Sequence, residues 1–100
     1  MNEIEKKLNI DQKDKNDKFY KISKLFREVG FNIVTSVNGI SFVNDNIDIK
    51  ASFYVDDTLN YQGYITSDLD KHINYSISGN DRDVVKAADD FIDAFLRYIP

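Results

Sequence analysis

The chain has 100 residues, with 13 Lys/Arg, 17 Asp/Glu, one histidine and no cysteine, for a net charge of −4. That is the length of one domain, and it offers no disulfide framework, no thiolate zinc site and no multi-histidine metal centre. The charge is divided: residues 1–30 hold eight Lys/Arg against six Asp/Glu (+2), residues 31–100 five against eleven (−6). Most of the chain repels phosphate, so no direct nucleic-acid binding is expected.

The first ten residues, MNEIEKKLNI, are charged and lack an apolar signal core, and no apolar run approaches membrane-spanning length. The expectation is a soluble cytoplasmic protein without membrane contact. Residues 1–16 read as a polar N-terminal segment, partly helical or flexible, ahead of a single α+β domain over 17–100. Ile4 and Leu8 stand four apart, but residues 9–18 (NIDQKDKNDK) are polar and charge-alternating.

From Asp17 the period is helical. Phe19, Ile22, Leu25, Phe26 and Val29 fall within about 120° on a 3.6-residue wheel. Asn16 or Asp17 is a suitable cap, and Gly30 suits the left-handed position just past the end.

At Phe31 the period becomes two. Phe31, Ile33, Thr35 and Val37 alternate with Asn32, Val34 and Ser36, and Asn38-Gly39 is the strongest short hairpin signal. A type I′ turn there would pair Val37 with Ile40. Asn44-Asp45-Asn46 marks a second turn. Ile47, Ile49, Ala51, Phe53 and Val55 then line one face of a long strand, and Asp56 to Asn60 is a third turn. Tyr61–Thr66 and His72–Ile77 are further strand candidates.

The last helix is expected from about Arg82 to Tyr98. Its apolar face holds Val84, Val85, Ala88, Phe91, Ile92, Phe95, Leu96 and Ile99, opposite Asp83, Lys86, Ala87, Asp90, Asp93 and Arg97. The order is α-β-β-β-β-β-α: an antiparallel meander with both helices packed on one face. The other face carries Ser41, Val43, Lys50, Ser52, Tyr54, Gln62, Tyr64, Thr66, His72, Asn74 and Ser76.

Motifs for chemistry are weak. Phe53-Tyr54-Val55-Asp56-Asp57 is similar in spelling to the metal-binding hairpin of reverse transcriptases. However, two-metal chemistry needs carboxylates from separate segments, and Asp56-Asp57-Thr58 is ordinary turn chemistry. Asn44-x-Asn46-x-Asp48 opens like a calcium loop but lacks its glycine (Ile49) and its closing carboxylate (Val55). There is no nucleophile elbow and no phosphate loop, so no catalytic residue, metal or cofactor is assigned.

Binding remains. Tyr54 and Tyr64 point away from the apolar faces and are candidate anchors. Asp56, Asp57, Asp90 and Asp93 are candidate charges for steering toward a basic surface. In size, acidity and a residue bias toward A/U-rich codons, the chain is similar in style to small accessory proteins of phages and mobile elements, several of which inhibit host defence nucleases. That resemblance implies an inhibitor docking on a larger host protein with a basic surface. The alternative is a self-associating structural or chaperone-like module, a homodimer through the exposed sheet face.

Overall fold

The computed structural model describes residues 3–46, 48–80 and 84–99, with side chains from residue 14 onward. The element order is α1 (Glu3–Glu28), β1 (Asn32–Ser36), β2 (Gly39–Asp45), β3 (Ile49–Asp56), β4 (Asn60–Ser67), β5 (Asn74–Asn80) and α2 (Val84–Tyr98). The strands form one antiparallel meander, β1-β2-β3-β4-β5, and both helices cover one face of it. The α+β architecture expected from the periodicity is the one observed.

Helix α1 includes the segment that reads as partly helical or flexible. It runs back through the polar stretch to Glu3, because that stretch contains no Gly or Pro and its charges can pair along the helix. Lys18 meets Asp14 at 3.2 Å, one turn away. The other end follows the sequence. Gly30 has φ 87°, its N–H donates to Arg27 O (3.1 Å), and the Phe31 N–H donates back to Phe26 O (3.0 Å). This is a Schellman cap with its usual apolar contact: the Phe26 and Phe31 rings meet edge to face at 4.9 Å.

The core lies between the helices and the inner sheet face. Ile22 and Phe26 of α1, Phe31, Phe42 of β2, Phe53 and Val55 of β3, Ile65 of β4, and Phe91 and Phe95 of α2 are all buried. Where β4 crosses under α2 the inner residue is Gly63. A Cβ there would stand 2.8 Å from the Phe53 ring and 3.0 Å from the Phe91 ring, so the missing side chain lets two phenylalanines meet over the strand.

Three expectations are corrected. First, the hairpin register is Thr35↔Ile40 and Ser36↔Gly39, so the connecting residues are Val37-Asn38 and Val37 is 99% exposed. Neither connecting residue has positive φ, which excludes a type I′ turn. The third strand decides this: Asp57 N–H donates to Asn38 O at 2.9 Å, and Gly39 pairs with Asp56, holding both residues in the β2–β3 ladder. Second, β5 starts at Asn74, because His72 is in a turn with its N–H on Asp70 Oδ1 (2.9 Å) and Ile73 N–H on Asp70 O (3.1 Å). Third, α2 is rotated from its expected phase. Ala87 is buried and Leu96 is 44% exposed, since the small side chains of Ala87, Ala88 and Ala94 let the helix sit close to the sheet. The expected positions Ile47 and 81–83 lie outside the described residues.

Gly63→Ala should destabilise the fold by about 1–3 kcal/mol through overpacking, read as a lower urea midpoint with unchanged slope. Val37→Thr, at the exposed hairpin tip, should stay within about 0.5 kcal/mol.

Candidate functional site

The meander alternation sends residues 41, 43, 50, 52, 54, 62, 64, 66, 74 and 76 to the face that no helix covers, and the observed register joins them into one field. Tyr54 opposes Gln62, Ser52 opposes Tyr64, and Tyr64 opposes Ser76. Between the charged ends of the strands (Asp45, Lys50 and Asp56) the field contains Ser, Thr, Asn, Gln, Val and Tyr, with no charged side chain. Lys50, at one end, meets Asp68 at 3.2 Å. Its hydrogen bond to Asp68, with the charges of Asp68 and Asp45, holds it above the usual lysine range.

The two tyrosines differ. Tyr54 is half-buried because its ring lies over Gly39 of the neighbouring strand, where a Cβ would come within 2.9 Å of it. Tyr64 is 48% exposed and borders a shallow depression of about 250 Å³ together with Val43, Asp45, Lys50 and Ser52, so the charged strand ends reach one side of it. The rings do not pack on each other. The side chains are diagonal neighbours, and each finds a different surface beneath it.

Asp56 has a structural role. Its Oδ1 accepts from Thr58 N–H, Thr58 Oγ1 and Asn60 N–H, each at 2.9 Å. Its Oδ2 accepts from Asn60 Nδ2 at 3.1 Å. Between those anchors sits Leu59, which is buried at φ 65°, the one non-glycine with positive φ among the described residues. The carboxylate therefore braces a strained turn that inserts a leucine into the core. Desolvation opposes the Asp56 charge, but the hydrogen bonds from Asn60 and Thr58 outweigh it and hold its pKa below the ordinary value. Asp57 is exposed beside this network and takes no part in it.

Asp90 and Asp93 are elsewhere. They lie on the solvent side of α2, where with Asp89 their carboxylate oxygens cluster within 4.8 Å. Helix α2 covers the inner face, so these aspartates and the two tyrosines are on opposite sides of the molecule. One flat partner surface cannot touch both. Tyr54, Tyr64, Asp56 and Asp57 share a region; Asp90 and Asp93 do not belong to it.

Two features were not read from the sequence: the buried Leu59 and the depression beside Tyr64. Leu59 could have been found from its isolation as an apolar residue between Thr58 and Asn60. The depression needed the register. Among the described residues no helix is long and apolar enough to cross a membrane. Comparison with known protein families, characterised proteins and solved structures finds no match.

Asp56→Ala should cost about 1–3 kcal/mol, because it removes the charge-assisted hydrogen bonds that hold the turn around Leu59, whereas Asp57→Ala should cost about 0.5 kcal/mol or less. The Asp56 pKa is lowered on folding, so its stabilisation is present above the unfolded carboxyl pKa and is lost as pH falls through the folded one. Thermal melts from pH 7 down into the acid range should show wild type and Asp56→Ala converging only at the acid end.

Proposed function

We propose that this is a small non-enzymatic protein-binding domain that docks through the open face of its sheet, and that it acts in the cytoplasm as an inhibitor of a larger, nucleic-acid-handling or defence protein. The observation that carries the reading is the run of uncharged side chains across the middle of this face, from Tyr54 and Gln62 through Ser52 and Tyr64 to Ser76, which meets charge only at the strand ends, where Asp45 and Lys50 border the depression beside Tyr64. Nearly a third of the chain is charged, yet the middle of this face is not. Depletion of charge and enrichment of aromatics are what distinguish the centre of a protein interface from ordinary surface.

Within this reading Tyr64 is the anchor, Val43 and Ser52 form one wall of the depression beside it, and Asp45 and Lys50 form its charged side. Asp57 and the strand-end charges form the rim. Asp90 and Asp93 face away from the contact and act only through the long-range field that steers a basic partner. The exposure of Tyr64 also favours a second reading, self-association face to face through the same field.

Tyr64→Ala should weaken partner binding by about 1–3 kcal/mol, mainly by faster dissociation. Asp90 and Asp93 changed together to Asn should slow association and flatten its salt dependence while leaving dissociation unchanged. The check is capture from a bacterial host lysate on immobilised wild-type protein, followed by kinetics on the purified partner. A partner bound equally well by Tyr64→Ala would show that the face is not the site. Random-sequence duplex DNA should not be shifted by the protein in a gel at moderate ionic strength; a salt-sensitive shift would point instead to the lysines of α1.

A further inference from the structure

We propose that β5 is a self-pairing edge, through which two copies of the chain join antiparallel into one continuous sheet. β5 hydrogen-bonds to β4 on one side and, among the described residues, has no strand on the other. Open edges are ordinarily protected by lysines, prolines, bulges or a covering element. β5 has none of these side chains: its residues are NYSISGN. Its pairing with β4 is unbroken from Asn60↔Asn80 to Thr66↔Asn74, so no bulge turns the edge away.

The strand is also self-complementary. A closed two-fold contact puts one patch against its own copy. A two-fold axis at Ile77 pairs Asn74 with Asn80, Ser76 with Ser78 and Tyr75 with Gly79 of the second copy, and Ile77 with itself. Amide meets amide and hydroxyl meets hydroxyl on the outer face, and no like charges are opposed. The other edge, β1, is shorter and pairs less evenly with itself: a two-fold at Val34 sets Ile33 against Thr35 and Asn32 against Ser36.

The inner face is unfinished at the same edge. Ile73, Tyr75 and Ile77 are half-buried, whereas Phe53, Val55 and Ile65 of the central strands are fully buried. Tyr75, Ala94, Arg97 and Tyr98 line a cleft of about 360 Å³ beside β5. A second sheet continuing past β5 covers the inner residues that α2 leaves half open. Each copy carries −4, so the pairing gains from added salt, while docking on a basic partner loses from it.

The test is molar mass in solution, by sedimentation equilibrium over a range of micromolar concentrations, with circular dichroism to confirm the fold. Wild type should approach twice the 11.6 kDa chain mass, more readily at higher salt. Ser76 and Ser78 are exposed. Changing both to Lys sets lysine against lysine twice across the axis and should raise the dimer dissociation constant about tenfold or more. Ser76→Lys with Ser78→Asp sets opposite charges together and should restore the dimer. Tyr64→Ala should leave it unchanged. A wild type that stays monomeric overturns the proposal and leaves the edge to a foreign strand. So does a dimer indifferent to the paired lysines. The readout uses no other protein, so its failure would leave the docking face untouched.

Discussion

Phe26 holds the architecture together. Its ring stacks on Phe42 at 4.6 Å and 8°, and the rings of Phe31, Phe53 and Phe91 lie within 6.0 Å of it. Those contacts join α1, the first loop, two central strands and α2. The Phe26 carbonyl also accepts the N–H of Phe31, so one residue closes the helix and founds the core. Gly30 makes this possible, since only a left-handed residue at that point folds the chain back and brings Phe31 against Phe26. From there β1 must leave along the sheet, with Ile33 directed inward beside Phe42.

A core built on that cluster uses both helices on one side and leaves an antiparallel sheet open on the other, which such sheets tolerate. Stability does not require the open face to be free of charge. Lysine and glutamate pairs across strands would serve equally well, and Ser, Asn and Gln are mediocre strand formers. The observed composition favours solubility less than a charged face would, and only its Val, Thr and Tyr add strand propensity. The physical property it does supply is low desolvation cost: hydroxyls and amides can be covered by a partner and re-paired, whereas an isolated charge covered in the same way costs several kcal/mol.

Much of this was legible in the residue pattern. The α-β5-α order, the facing of every strand and the cap at Gly30 follow from a change of period from 3.6 to 2 and back. The hairpin tip was not, because a slip of two residues keeps all side chains on their faces and leaves the alternation unchanged. Contacts with a third strand, at Asn38 and Gly39, settle it. The same limit hid the role of Asp56. Its sequence context promises a turn, and only the fold reveals that the turn must drive Leu59 inward at an unfavourable φ. The acidic residues were misleading as a group: Asp56 is spent on its own turn, Asp68 on Lys50, and Asp90 and Asp93 stand behind the sheet. Charge counted along a chain does not say which side of the molecule it occupies.

The face and the edge are continuous, and this links the two binding proposals. Tyr64 stands directly opposite Ser76 on β5. In the pairing proposed for β5, three interstrand spacings and an offset of two residues along the strand separate Tyr64 from its counterpart in the second copy, about 16 Å in all at the usual spacings. Two tyrosine-centred depressions would then share one uncharged surface, with the charged strand ends at its borders. Such a surface suits an extended or repeated target, because the second contact forms at the high effective concentration set by the first. The opposite salt responses also become coupled. Salt that favours joining the two acidic copies weakens their attraction to a basic partner, so the doubled surface binds best where screening is enough for the first step and not so great as to erase the second.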